Sequence, residues 1–133
     1  MKTIDFRSDT VTKPTQAMRE QMAKAAVGDD VMEEDPTVQQ LEELAARSVG
    51  KEKALFVPSG TMGNQIAVKL HTNPSDEIVL EAQSHIFYYE AGGVAGISSV
   101  QARQIEGDRG MIAKKQFQDA IRAEDIHFPK TSL

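Results

Sequence analysis

Apolar residues in the first third of the chain recur at helical spacing. Met18, Met22 and Ala25 or Ala26 share one face, with Thr15 before them as an N-cap and Gly28 after them as a stop, which predicts a helix over residues 16–26. The methionines are expected to pack into a core. Ahead of this helix, the stretch through Pro14 is polar, and Ile4 and Phe6 are its only bulky apolar residues before Val11. It reads as an N-terminal arm. Asp35 followed by Pro36 has the form of an N-cap with proline in the first helical position, which predicts a second helix reaching about Val49 and ended by Gly50. Val38, Leu41, Leu44 and Ala45 are expected to face inward.

From Ala54 onward the pattern changes. Ala54-Leu55-Phe56-Val57 is a short apolar run that predicts a strand, followed by a Ser59-Gly60-Thr61 turn and a helical pattern through Ile66, Val68 and Leu70. A second such unit follows, with a turn at Asn73-Pro74-Ser75-Asp76, a strand over 77–81 and a polar loop carrying His85. Residues 87–95 read as a helix loosened by Gly92, Gly93 and Gly96. Residues 98–105 read as a strand, Gly107-Asp108-Arg109-Gly110 as a turn, and 112–122 as an amphipathic helix with Phe117 and Ile121 inward. Strands alternating with helices predict an α/β fold with a mostly parallel sheet. The last residues, 126–133, read as a chain cut at the edge of another strand, which leads us to expect exposed apolar surface and association.

Composition narrows the classes. The chain has 133 residues, 40% of them hydrophobic, no Cys, and 15 Lys and Arg against 20 Asp and Glu, a formal charge of −5. This describes one globular unit without a disulfide framework, and with no general basic character for nucleic acid or anionic membranes. No apolar run approaches the roughly 18 residues of a membrane span. A cytoplasmic location is expected.

Three places carry candidate chemistry. Ser59, Gly60 and Thr61 stand at a helix start, where free backbone N–H groups and the positive end of the helix dipole can hold a phosphate; the spacing alone, without a following lysine or a G-x-G-x-x-G pattern, favours an ordinary helix cap. His85 lies just beyond a predicted strand's carboxyl end, where open α/β sheets place ligands, and an imidazole there can exchange a proton or stack on a flat ring. The carboxylates of residues 29–35 invite a metal reading, but their spacing lacks a calcium-loop pattern and no His is near, so helix capping is expected and no metal.

Several strings together resemble the low-specificity L-threonine aldolases. They are Asp5-Phe6-Arg7-Ser8-Asp9-Thr10-Val11-Thr12-Lys13-Pro14, Val27-Gly28-Asp29-Asp30-Val31, Glu34-Asp35-Pro36-Thr37-Val38, Leu55-Phe56-Val57-Pro58-Ser59-Gly60-Thr61-Met62-Gly63-Asn64-Gln65, and Ser84-His85-Ile86 with Glu90-Ala91-Gly92-Gly93. The resemblance implies the N-terminal part of the large domain of a fold type I pyridoxal-phosphate enzyme. That is an incomplete three-layer sandwich, with residues 1–14 as arm and 15–133 as a truncated cofactor-binding domain. It implies cleavage of L-threonine or L-allo-threonine to glycine and acetaldehyde, with pyridoxal 5'-phosphate as cofactor and a homotetramer as the assembly.

By the same resemblance, Gly60 and Thr61 hold the cofactor phosphate with Ser59 supporting the turn. His85 stacks on the pyridine face and takes part in proton transfer, Ser8 helps hold the substrate carboxylate, Tyr89 lies beside the substrate, and His127 is a second active-site histidine positioning the hydroxyl. The family has Tyr-Gly where this chain has Met32-Glu33, so a hydroxyl and a residue free to take positive φ are replaced. The family's cofactor-bonding lysine, pyridine-pairing aspartate and carboxylate-gripping arginine have no match here, so the chain alone is expected to be inactive. The alternatives are a non-catalytic product that joins full-length subunits, or a related pyridoxal-phosphate lyase.

Overall fold

In the computed structural model, which describes residues 4–133, the chain forms two units, one up to Phe56 and one from Val57 onward. In the first, side-chain caps set where helices begin. The Thr15 hydroxyl accepts the Met18 N–H at 3.2 Å and starts α1, Gln16–Lys24. Asp35 accepts the N–H groups of Thr37 and Val38, each at 2.9 Å, and starts α2, Pro36–Ser48, with proline in its first turn.

Gly28 does not stop α1, which has already ended at Lys24. It instead permits a close backbone approach: a Cβ there would come within 2.7 Å of the Glu34 carbonyl carbon, and its N–H donates to the Asp35 carboxylate at 3.1 Å. The intervening loop holds a 3-10 turn, Asp30–Met32, closed by Glu33 in the left-handed region at φ 58°. This is the position where a residue free to take positive φ was expected to be missing. Glutamate adopts that conformation anyway.

The inward faces of this unit differ from expectation. Met18 and Met22 are 56% and 61% exposed, Leu41, Leu44 and Ala45 are exposed, Val38 is half-buried, and Ala46 is the buried residue of α2. Helical spacing marks an apolar stripe, but burial needs an opposing surface, and this unit by itself supplies little. Residues 54–57 form no strand either. Phe56 N–H donates to the Glu42 side chain at 2.6 Å, and no neighbouring strand pairs with this run among the described residues.

The second unit contains α3 (Gly60–His71), β1 (Glu77–Glu81), α4 (His85–Tyr88), α5 (Gly93–Ser98), β2 (Gln101–Ile105) and α6 (Lys114–Ala120). β1 and β2 are parallel, in register from Glu77 opposite Gln101 to Glu81 opposite Ile105. On the other side of β1, Glu77 forms a parallel bridge with Thr131, and Val79 N–H donates to Leu133 O at 2.8 Å. β1 is therefore flanked on both edges, which explains why Glu77, Ile78 and Leu80 are buried. Val68 from α3, Val94 from α5 and Val100 complete the core with Ile78 and Leu80. No helix among the described residues is long and apolar enough to cross a membrane.

Three further boundaries move. The helix expected over 87–95 splits into α4 and α5, because Ala91 and Gly92 take φ 52° and 73° between them. β2 begins at Gln101 rather than at residue 98, since Ser98 still belongs to α5 and Ser99 is left-handed. α6 turns Ala120 inward, while Phe117 and Ile121 are 41% and 50% exposed. The turn at Asp108–Met111 forms as its residues predict, with Arg109 and Gly110 both at positive φ.

Glu77 is completely buried, and its charge is met from three directions. Arg122 donates to both carboxylate oxygens, at 2.8 and 2.9 Å, Gln101 donates at 2.7 Å, and Arg103 lies 3.7 Å away. Burial raises this carboxyl, but the hydrogen bonds and charge of Arg122, then Gln101 and Arg103, outweigh it and hold the group below its ordinary range.

Candidate functional site

The second unit brings most of the candidate residues onto one framework built around α3. Ser59, extended at φ −153°, caps this helix by accepting the Met62 N–H at 3.1 Å. That bond leaves the amides of Gly60 and Thr61 without an acceptor among the described residues. A Cβ on Gly60 would meet nothing within 4 Å, so the helix start is uncrowded on the side this carbon would occupy. Two free N–H donors, the Thr61 hydroxyl and the positive end of a 12-residue helix fit the oxygens of a phosphate ester.

One turn further along α3, Asn64 and Gln65 point to a different anion. Asn64 Nδ2 donates to Glu90 Oε1 and Gln65 Nε2 donates to Glu90 Oε2, both at 2.7 Å. The Glu90 side chain is fully buried, and His85 Nδ1 lies 3.1 Å from its Oε1. Burial raises the Glu90 carboxyl, yet the hydrogen bonds from Asn64, Gln65 and His85 outweigh it and keep it below the usual carboxylate range. Gly93 makes room for this arrangement, because a Cβ there would lie 2.8 Å from the Gln65 side-chain amide.

His85 is the first residue of α4 rather than part of a loop, and its side chain is 65% exposed. The Tyr89 ring lies 5.5 Å from it, tilted by 38°, and Tyr88 lies 5.0 Å from Tyr89. His85 and Tyr89 are thus brought together as neighbours. His127 sits in an exposed turn where its N–H donates to Asp125 Oδ1 at 2.8 Å, and no bond joins it to His85 among the described residues. Ser8, in the first unit, is exposed; its hydroxyl accepts the Thr10 N–H at 3.2 Å and lies 2.8 Å from the Thr10 hydroxyl. Sequence reasoning assigned no role to Glu90, Asn64 or Gln65. The available signal was a glutamate placed between aromatic residues and a glycine pair, where a charge is costly unless it is held.

A helix N-terminus with two unused amides can take a phosphate, and a histidine anchored on a buried carboxylate can exchange a proton. The family model described as beta-eliminating lyase matches residues 5–133. The chain belongs to this family. It is 45% identical to the probable low-specificity L-threonine aldolase 2 of Arabidopsis thaliana, over 100% of this chain and 39% of that protein. It is 42% identical to the low specificity L-threonine aldolase of Escherichia coli strain K12, over 98% of the chain and 39% of the relative. It is also 35% identical to a protein named alanine racemase TOXG from Cochliobolus carbonum, over 97% of the chain and 34% of that protein. The chain spans roughly two-fifths or less of the length of these curated relatives.

Proposed function

We propose that this chain supplies the phosphate cup and the histidine face of a pyridoxal-phosphate-dependent carbon–carbon lyase. Its reaction is the retro-aldol cleavage of L-threonine or L-allo-threonine to glycine and acetaldehyde. The observation that carries the reading is that α3 carries the acceptor-free Gly60 and Thr61 amides in its first turn and, through Asn64 and Gln65, holds the Glu90 carboxylate that anchors His85 at the start of α4, in a chain so similar to threonine aldolases. When bound, pyridoxal 5'-phosphate supplies an electron sink for the pair released from Cα.

The remaining work falls to protein groups. Gly60 and Thr61 grip the phosphate, with Ser59 fixing the turn. His85 would stack on the pyridine ring and receive the proton of the β-hydroxyl, which His127 would position; the O–H electron pair becomes the carbonyl π bond as the Cα–Cβ pair passes to Cα. Tyr89 borders the substrate and Ser8 hydrogen-bonds its carboxylate. The chain forms the N-terminal part of a fold type I large domain, residues 1–14 acting as an arm, in a cytoplasmic homotetramer. These 133 residues bind the cofactor's phosphate without sustaining turnover, because none of them matches the family's cofactor-bonding lysine.

Titration of the chain with pyridoxal phosphate, followed by phosphorus NMR with inorganic phosphate as competitor, tests the cup. A Cβ at Gly60 meets nothing within 4 Å, so Gly60→Val should still fold while its branched side chain crowds the cup and lowers affinity at least about tenfold. Equal affinity in the variant would remove the cup from the argument. Acetaldehyde release from L-allo-threonine by the chain alone would overturn the claim about turnover. The racemase relative favours a second reading, in which His85 exchanges the Cα proton instead; loss of optical activity from L-alanine in the complete enzyme, without acetaldehyde from threonine, distinguishes it.

A further inference from the structure

The functional reading employs His85 but not the carboxylate behind it. We propose that Glu90 is a positioning residue that fixes the His85 ring with its proton on Nδ1, leaving the lone pair of the neutral imidazole on Nε2.

Hydrogen-bond bookkeeping at the carboxylate leads there. Glu90 Oε1 receives Asn64 Nδ2 at 2.7 Å and faces His85 Nδ1 at 3.1 Å, while Oε2 receives Gln65 Nε2 at 2.7 Å. An ionised carboxylate can only accept, and with two amide donors already aimed at it, Glu90 has no proton to give. The ring nitrogen beside it must then be the donor. Burial of the Glu90 side chain strengthens this preference, since few waters compete and a charged acceptor roughly doubles the strength of a hydrogen bond. Nε2 makes no hydrogen bond to the chain among the described residues, and the exposed ring leaves it accessible.

The device also fixes direction. Asn64 and Gln65 lie on the helix whose first turn carries the Gly60 and Thr61 amides, so phosphate grip and ring orientation share one rigid element. A proton accepted at Nε2 would produce an imidazolium whose charge Glu90 stabilises across the 3.1 Å contact, the arrangement by which a buried carboxylate supports a general base. This deepens the proposed function and rests on it for the reaction at Nε2; the tautomer does not.

Nitrogen NMR of the labelled chain, without cofactor, reads the tautomer directly. The chain has three histidines, and His85→Gln assigns the relevant signals. At about pH 9, above the ordinary histidine range, we expect His85 Nδ1 to carry the proton and Nε2 to show the shift of an unprotonated nitrogen. Glu90→Gln should lower the ratio of the Nδ1–H to the Nε2–H form about tenfold, the difference between a charged and a neutral acceptor. A predominant Nε2–H form in the wild type would overturn the proposal, and so would a ratio unchanged in a folded Glu90→Gln chain. Wild-type spectra alone decide the first point if that variant fails to fold. Failure of pyridoxal phosphate to bind, with the tautomer as expected, would instead count against the functional reading.

Discussion

Replacing Arg122 with methionine strands the Glu77 carboxylate in the middle of the sheet. The stem of the side chain is kept in kind, while both short donors to Glu77 disappear. Removing one partner of a buried ion pair costs about 3–5 kcal/mol. Gln101 still donates at 2.7 Å and Arg103 remains 3.7 Å away, which argues for the lower end, about 3 kcal/mol. With a urea dependence of about 2 kcal/mol per molar, the unfolding midpoint should fall by about 1.5 M. Far-UV circular dichroism of the chain in urea provides the assay.

Acidity gives the prediction its sign. In the wild type the Glu77 carboxyl lies below its ordinary value of 4.5, so the folded chain binds fewer protons than the unfolded chain; the contribution is complete above that value and is lost as pH falls through the folded one. In Arg122→Met, burial acts with less opposition and pushes the carboxyl upward. Stability should then rise on acidification from neutral pH toward the carboxylate range, opposite to this group's wild-type contribution. A second change, Glu77→Gln, should recover most of the loss at neutral pH, because no charge is left to strand. A midpoint shift below about 0.5 M at neutral pH, or the same acid dependence in variant and wild type, would refute the reasoning.

Gly28→Ala should destabilise the first unit by about 1–3 kcal/mol in the same urea assay, because the added carbon meets backbone at Glu34 rather than a movable side chain. At Glu33, φ 58° costs an L-residue about 1 kcal/mol, which Glu33→Gly relieves while adding similar freedom to the unfolded chain. The glycine variant should therefore stay within about 0.5 kcal/mol of wild type, and the β-branched Glu33→Val should lose at least about 1 kcal/mol. Carbon NMR of the Glu90 carboxyl should show titration below the range of a free glutamate, with the stability this group contributes present above that range and lost as pH falls through the folded value.

Local chemistry was the legible part of this chain. Thr15, Asp35 with Pro36, and Ser59 cap helices where their side chains predict, because a cap needs only residues two or three positions away. The strand over 77–81 appears with its expected bounds. Burial was less legible, since Met18, Leu44 and Phe117 are exposed although they sit on apolar stripes: burial depends on an opposing surface, about which spacing along one helix contains no information. Residues 54–57 failed as a strand for the related reason that pairing belongs to two segments. At the candidate site, His85 could be found from its place after a strand, but the Glu90 that anchors it is itself held by Gln65 and Asn64, 25 and 26 residues earlier in sequence.

The central place of Glu77 has a consequence for synthesis of the chain. Arg103 is made before Arg122, but the arginine that donates to both carboxylate oxygens follows Glu77 by 45 residues, so at about 5–20 residues per second it is added roughly 2–9 s after Glu77. During that interval an ionised carboxylate favours hydration and opposes docking of β1 against any chance strand edge, as charged gatekeepers do beside aggregation-prone segments. The residue that ties the finished sheet to Arg122 thus disfavours burial of β1 until the segment after α6 has been made and the carboxylate has its full set of donors.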